Sequence, residues 1–156
     1  MDQSQPDLGI LLALAYRCFV DELTEGLSQA GFPGTRPAYG YLFRALQGDG
    51  LTVSGLAAQL QISKQATVKI VDDMEARGFV TRISNRADRR EKTVRLTQRA
   101  RDLMSVALQI GERVESEMVD QAGAQAVATM RAILTRYVEQ HGGLEDALRR
   151  RARPVW

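Results

Sequence analysis

This sequence has little of the chemistry on which disulfides, metal sites and covalent catalysis depend. It contains one cysteine, Cys18, and one histidine, His141, among 156 residues. A single cysteine excludes an intrachain disulfide and is consistent with a reducing cytoplasm. Zinc binding needs several histidine, cysteine or carboxylate ligands close together, and these two residues lie far apart in the chain. We therefore expect no metal and no cofactor.

Long apolar runs are missing as well. No stretch reaches the roughly 20 residues that a membrane-spanning helix needs. Residues 8–16 (LGILLALAY) are apolar, but acidic and polar residues precede them instead of a basic region, so we expect no signal peptide. Four prolines and thirteen glycines do not indicate disorder. The composition predicts a cytoplasmic protein without a membrane partner, folded as one domain over 1–156.

The usual patterns of an enzyme are also missing. The sequence shows no nucleophile paired with a base, no glycine-rich phosphate loop and no cluster of metal ligands. Spacing places His141 with no serine, aspartate or cysteine. We expect no catalytic activity.

What the sequence does contain is a local concentration of positive charge. The net charge of the whole chain is only +2. From Arg82 to Arg95, however, six basic residues stand against two acidic ones, which gives this segment +4. Apolar and polar residues alternate in 79–84 and 91–97, on either side of NRADRR, and this pattern predicts a β-hairpin. Like charges on adjacent strands repel, and a bound polyanion would remove that cost.

The rest of the chain has mainly helical periodicity. Helices are predicted over 7–30, 37–47 and about 52–60, over 63–77, and from 98 to about 140 with an interruption at Gly123. Ser63 can cap the fourth helix, and Gly78 is well placed to end it. The third and fourth helices, joined by a short turn, form a helix-turn-helix candidate, and a hairpin directly after it is a wing.

The helix that begins at Ser63 has two contrasting faces. An inward apolar stripe is predicted for Thr67, Ile70, Val71 and Met74. The opposite face carries Gln65, Val68, Lys69 and Asp72, with Lys64 beside them. Glutamine can bind adenine, lysine can reach guanine or phosphate, and valine can contact a thymine methyl group. The alternative is an amphipathic helix with a solvated polar face, but the basic hairpin that follows favours DNA.

Residues 52–97 resemble the winged helix-turn-helix core of the MarR family of bacterial transcription regulators. The segments that carry the resemblance are VDDMEARGFVTR, the wing tip DRR, and VRLT before a long helix. The resemblance implies a mainly α fold with a small β-wing. It divides the chain into a DNA-binding lobe (35–97), dimerisation helices (7–30 and 98–141) and a basic tail (142–156).

The family's mode of action is implied in the same way. Members are homodimers that bind pseudo-palindromic double-stranded DNA, and many release it when a small molecule binds. We therefore expect a transcription regulator that acts as a repressor. The apolar first helix and the long helices after Gln98 favour a homodimer on their own account, because a small winged core could not cover them. The alternative is that these helices fold back entirely onto their own core.

The resemblance also assigns roles to individual residues. Arg90 matches the wing arginine that enters the minor groove, and Asp88 matches the acidic residue that orients it, although Asp88 could also be a plain turn former. Arg82 and Arg86 would lie at or near phosphates. The DNA-binding residues we predict are Ser63, Lys64, Gln65, Val68, Lys69, Arg82, Arg86, Asp88, Arg89 and Arg90.

An effector site is predicted between the dimerisation helices and the DNA-binding lobe. The ligand would be a small aromatic or anionic molecule, bound by Tyr16, Arg17, Arg36 and Tyr39. Against this, aromatic side chains at such spacing usually lie in the core, and arginines are usually solvated.

Two further functions compete with the ligand-responsive regulator. One is redox sensing through Cys18, as in relatives that sense organic hydroperoxides. Phe32 and Phe43 stand where supporting hydroxyl groups would be needed, and a lone cysteine in an apolar helix is usually buried. The other is a winged-helix module that binds acidic protein surfaces.

Replacing the wing arginine tests the DNA-binding interpretation of the hairpin. Arg90→Ala should weaken DNA binding strongly, because the side chain is expected to enter the negative minor groove. Dimerisation and thermal stability should be nearly unchanged. An affinity that stays within about twofold of wild type, measured by titration of a DNA fragment, would contradict this role of the wing.

Overall fold

The computed structural model describes residues 6–84 and 92–141. Their helices and strands follow in the order α1 (Leu8–Gln29), α2 (Tyr39–Ala45), β1 (Leu51–Thr52), α3 (Val53–Leu60), α4 (Lys64–Ala76), β2 (Val80–Ser84), β3 (Lys92–Leu96), α5 (Gln98–Ala122) and α6 (Ala124–Gln140). The predicted fold class, mainly helical with a small β-wing, is confirmed. In this part of the chain, no helix is both long and apolar enough to cross a bilayer.

The helix boundaries follow from local capping chemistry. Side-chain oxygens of Asp7, Thr52, Ser63 and Thr97 accept backbone N–H groups at the starts of α1, α3, α4 and α5. Such caps satisfy donors that a helix N-terminus leaves unpaired. The predicted cap at Ser63 is confirmed, and at α3 the cap is Thr52. Gly78 ends α4 with φ of 74°, a conformation that glycine adopts without strain.

The wing belongs to a sheet of three strands in the order β1-β3-β2, all antiparallel. The hairpin strands β2 and β3 were predicted, but β1 was not, because a strand of two residues has no alternation to detect. Gly50 leads into β1 with φ of 81°. A Cβ atom at this position would lie 2.3 Å from the carbonyl oxygen of Val94. Only glycine therefore allows the chain to enter β1 so close to β3.

The core lies where α2, α3 and α4 meet the sheet, the end of α1 and the start of α5. Phe79 makes edge contacts with the rings of Tyr39 and Phe43, at centroid distances of 6.0 and 5.8 Å. Arg99 of α5 lies over the Phe79 ring and donates a hydrogen bond to the carbonyl oxygen of Gly31. These contacts fix α4 and the wing relative to the long helices.

The first and last helices, α1 and α6, are much less buried than the core. Helix α1 packs against α5 and α6 also packs against α5, yet Leu27 is the one buried residue of α1 and Val127 that of α6. Most apolar side chains of α1 are solvent-exposed in a single chain. The large apolar residues exposed on these helices are Leu8, Ile10, Leu11, Leu12, Leu14, Tyr16, Met130, Ile133, Leu134 and Tyr137.

A partly buried hydrogen bond joins α4 to α2. Tyr39 is 1% exposed, and its hydroxyl donates to Oδ2 of Asp73. Burial first, and the hydrogen bond to Asp73 second, raise the pKa of Tyr39 to about 12. The same hydrogen bond lowers the pKa of Asp73 from its ordinary value. The folded state therefore favours a neutral tyrosine and an ionised aspartate.

Removing the Tyr39 hydroxyl should destabilise the protein in a pH-dependent manner. Tyr39→Phe should lower the free energy of unfolding by about 1–2 kcal/mol at neutral pH. The lowered Asp73 pKa contributes stability above roughly pH 4, and that contribution disappears as the pH falls through the lowered value. The difference between the two proteins in denaturant titrations should therefore narrow from pH 7 towards pH 3.

At alkaline pH, the stability that Tyr39 contributes is lost as the pH rises. An unfolded tyrosine ionises near pH 10, so the raised Tyr39 pKa contributes stability below about pH 10 that is lost between about 10 and 12. Tyr39→Phe should lack this alkaline loss. Tyr16→Phe, which alters a tyrosine that is 57% exposed, is the control. Equal stability losses in the two variants would contradict the role of the buried hydroxyl.

Candidate nucleic-acid interface

Helices α3 and α4 and the turn between them form the helix-turn-helix. Gln61 ends α3 in the left-handed conformation, with φ of 53° and ψ of 38°. The backbone N–H of Ile62 donates to the carbonyl oxygen of Ala57, which closes the turn. Ser63 then caps α4, so the three residues 61–63 redirect the chain between the helices. The predicted helix-turn-helix is confirmed.

Helix α4 keeps an inner face and an outer face. Thr67, Val71 and Met74 have no exposed surface. The hydroxyl of Thr67 donates to the carbonyl oxygen of Ser63 at 3.0 Å, so its burial leaves no unpaired polar group. The residues predicted to face DNA are all exposed: Ser63, Lys64, Gln65, Val68, Lys69 and Asp72. The helix therefore presents short and polar side chains outward.

The wing strands carry further cations. Lys92 and Arg95 of β3 are exposed. Nε of Arg95 donates to the carbonyl oxygen of Asp49 at 2.8 Å, which orients its side chain. Four predicted DNA-binding residues, Arg86, Asp88, Arg89 and Arg90, lie outside the described residues. Their roles remain predictions.

Arg82 binds the wing to α4. Its guanidinium donates to the carboxylates of Asp72 and Glu75, and its backbone N–H donates to Oε1 of Glu75 at 3.2 Å. Burial opposes the charged guanidinium, but the hydrogen bond to Asp72 and the charge of Glu75 outweigh it and raise the Arg82 pKa. The Arg82 side chain is only 19% exposed. Within this chain, its charge is already balanced by carboxylates.

This arrangement was not foreseen from the sequence. Asp72 was predicted on the outer face of α4, and Arg82 was predicted near phosphates. The spacing of Asp72 and Glu75, three residues apart on one helix, places both carboxylates on the same side. That spacing was the available signal for a cation between them. Arg82 can still lie close to DNA, but the geometry assigns it first to joining α4 and β2.

The same fold occurs in several solved structures. They include the YusO protein of Bacillus subtilis (TM-score 0.68, 19% identity, 85% of this chain and 93% of that one). The MepR–DNA complex of S. aureus gives a TM-score of 0.65 at 20% identity, over 86% of this chain and 97% of that one. A MarR mutant from E. coli gives 0.63 at 22% identity, over 87% and 99%.

The sequence comparison is more specific. The model of the MarR family matches residues 34–91, which span α2 to α4 and the start of the wing. This part of the chain is therefore similar to the MarR family. A comparison with curated proteins gives no match.

A cavity of about 430 Å³ lies between α1, α2 and α5. Its lining residues are Leu23, Thr24, Leu27, Thr35, Arg36, Pro37, Gly40, Phe43, Arg44, Gln47, Leu103, Met104, Ala107 and Leu108. Of the four residues predicted to bind an effector, Arg36 lines it. Tyr16 and Arg17 are exposed on α1 and Tyr39 is a core residue, and none of these three lines the cavity.

Cys18 is exposed on α1. The expectation that a lone cysteine in this apolar helix would be buried is wrong for the single chain, because the described residues leave Cys18 and the first half of α1 exposed. Among residues 6–84 and 92–141, no group of three or more histidine, cysteine or acidic side chains could hold a metal ion.

The exposed position of Gln65 gives a test of base readout. Gln65→Ala should change the preferred base at one position of each half-site, with a loss of discrimination of roughly 1–3 kcal/mol. Selection of bound sequences from a randomised DNA pool measures this preference. Gln59→Ala, which alters an exposed glutamine on α3, is the control and should leave the preferred sequence unchanged. An unaltered sequence preference in both variants would remove Gln65 from the readout.

Proposed function

We propose that this chain forms a homodimer that binds a pseudo-palindromic operator and represses transcription until a small effector releases it. The observation that carries the proposal is the exposed outer face of α4, together with exposed cations on the wing strand β3. An exposed helix with short polar side chains fits the major groove, and flanking cations fit the phosphates. The MepR protein, which has the same fold, has been solved bound to DNA.

The charge distribution around α4 supports a polyanionic partner. Asp72 and Glu75 both form ion pairs with Arg82. Asp73 is paired with Arg77 at 3.0 Å. Lys64 and Lys69 remain exposed on the outer face, and no described carboxylate forms an ion pair with either. The acidic residues of α4 therefore do not cancel the positive charge that faces outward.

The apolar surfaces of α1 and α6 support the homodimer. Leu8, Leu14 and Ile133 are each more than half exposed in the single chain, as is Tyr137. Soluble monomers rarely expose large contiguous apolar patches. A two-fold contact would bury these helices and place the two α4 helices about one DNA turn, roughly 34 Å, apart. In this proposal residues 35–97 form the DNA-binding lobe, and 7–30 and 98–141 form the dimerisation helices.

The cavity between α1, α2 and α5 supports release by an effector. Its volume of about 430 Å³ is within the range of small-molecule sites. It lies between the helices assigned to dimerisation and the lobe assigned to DNA. A ligand held there could change how the two lobes are spaced, and repression would then be relieved.

Selection of bound fragments from genomic DNA tests the proposed function. We expect enrichment of sequences with two inverted half-sites, and a steep fall of log affinity with log salt concentration, because phosphate contacts release counterions. No enrichment, or an affinity that does not depend on salt, would contradict DNA binding and favour the module that binds acidic protein surfaces.

A substitution on α6 tests the proposed dimer. Ile133→Glu places a charge on an apolar residue that is 63% exposed in the single chain, and should shift sedimentation towards the monomer. Operator affinity should fall at least tenfold, because one half-site then binds alone. Ala132→Glu is the control, since the adjacent exposed residue points about 100° away around the helix. A variant at Ile133 that remains a dimer would contradict this interface.

A further inference from the structure

Arg99, the second residue of α5, bridges the ends of two other helices. Its Nη2 donates a hydrogen bond of 3.0 Å to the carbonyl oxygen of Gly31, just after α1. Its Nε donates one of 3.3 Å to the carbonyl oxygen of Arg77, the residue that caps α4. One side chain of α5 therefore joins the end of the first helix to the end of α4.

The same guanidinium rests on two rings of the core. Its central carbon lies 4.9 Å from the ring centroid of Phe32 and 5.5 Å from that of Phe79. Both rings are buried, and they belong to the segments that follow α1 and α4. A cation over an aromatic face is attracted by the ring. Ring contacts and hydrogen bonds thus hold Arg99 in one place, although the residue is exposed.

The position of Arg99 also suits the charge of the two helix ends. The last carbonyl groups of a helix carry a partial negative charge, so a nearby cation is favourable. Neither α1 nor α4 has a basic residue in its last turn. Arg99 supplies a cation to both from a third helix. Because the contact needs three helices in fixed relative positions, a tilt of α4 away from α1 would break it.

A small tilt at this junction has a large effect at the outer end of α4. The helix has 13 residues and is therefore about 20 Å long. Arg77 lies at the end that Arg99 holds, and Gln65 lies at the other end. A tilt of about 10° about Arg77 moves the Gln65 end by about 3.4 Å, which is the rise of one base pair. The firmness of the junction therefore decides how closely the position of the reading end is defined.

We propose that Arg99 is a positioning residue that sets the distance between the two α4 helices of the dimer, and thereby the spacing of the half-sites that the dimer accepts. This inference rests on the proposed function and names a residue that determines one part of its specificity. Gln65 and its neighbours select the bases within a half-site. Arg99 selects the number of base pairs between half-sites, and it acts through α1 and α4.

The test measures affinity for DNA duplexes that differ only in the spacer. Each duplex keeps the two half-sites that the wild-type chain selects, and the spacer has the selected length or is one base pair longer or shorter. Wild type should bind the altered spacers at least tenfold more weakly, because one base pair moves a half-site by about 3.4 Å and turns it by about 35°. In Arg99→Ala this penalty should fall to about threefold or less, since the contacts that resist the tilt are gone.

Arg101→Ala is the matched control. It removes the same charge from an exposed residue two positions further along α5, and it should keep the full spacer penalty. The ratio between spacers is decisive because partial unfolding would lower the affinity for every spacer by the same factor. The bases selected within each half-site should be the same in all three proteins. A penalty of tenfold or more in a dimeric Arg99→Ala would overturn the inference.

Arg99→Lys covers the case in which Arg99→Ala does not fold. Lysine keeps the charge over the rings, but one nitrogen replaces the two that donate to Gly31 and Arg77. The spacer penalty should therefore still fall at least about threefold below that of wild type. A penalty equal to that of wild type in this variant would also overturn the inference.

A second measurement needs no DNA. Cys18 is the one cysteine of the chain, so Cys18→Ser combined with Gln59→Cys allows a single spin label on α3 of each protomer. The distribution of distances between the two labels should be at least about 5 Å wider with Arg99→Ala, because tilts of about 10° in both protomers change the separation by up to about 7 Å. Equal widths would overturn the role of Arg99.

Failure of this inference is distinct from failure of the proposed function. A wild-type dimer that binds all three spacers equally would overturn the role of Arg99 and leave operator binding in place. A wild-type chain that selects no operator would overturn the proposed function. The distances between the spin labels would then still decide whether Arg99 fixes the position of the lobes.

Discussion

The carboxylates of α4 hold this helix in position from two sides. Asp72 and Glu75 bind Arg82 of β2, and Asp73 binds Tyr39 and Arg77. A helix buried only along one stripe could still rock about that stripe. Polar contacts on either side of the stripe prevent this, because each has its own direction and distance. The orientation of the helix, and not only its presence, therefore depends on its acidic residues.

The same contacts shape the electric field at the surface. A recognition helix with three carboxylates would repel DNA if those charges were free. Here each carboxylate is paired with an arginine, and all three arginines (Arg36, Arg77 and Arg82) lie outside the bounds of α4. The unpaired charges that remain on its outer face are those of lysines. One set of ion pairs thus has two effects. It attaches α4 to its neighbours, and it pairs the carboxylates that would otherwise repel a polyanion.

The ends and faces of α4 and the wing strands could be predicted from the sequence, because each depends on a local pattern of residues. Ser63 and Gly78 mark the ends of α4, and the apolar stripe from Thr67 to Met74 gives its inward face. These features depend on the backbone and on neighbouring turns, so short segments carry them. The alternation in 79–84 and 91–97 predicted the wing strands in the same way. The fold and the outer face of α4 follow from such signals.

What could not be predicted depends on contacts between residues distant in the chain. Strand β1 exists only because β3 pairs with it, and Tyr39 meets Asp73 across 34 positions. Tyr39 was assigned to a ligand site because aromatic residues near arginines fit that role equally well in sequence. The apolar periodicity of α1 predicted the helix but not which residues pack against it. The burial expected for Cys18 was therefore wrong.

The apolar faces of α1 and α6 and the cavity beside α2 are connected through α5, against which both terminal helices pack. The cavity is lined by α1, α2 and α5 together. A partner that covered α1 would therefore lie against one wall of the cavity, and the proposed ligand would contact α1 and α2 together. Since α2 is bonded to α4 through Tyr39, a shift of α2 would reach the helix proposed to read DNA. Coupling between dimer, ligand and operator thus needs no element beyond the contacts already present in one chain.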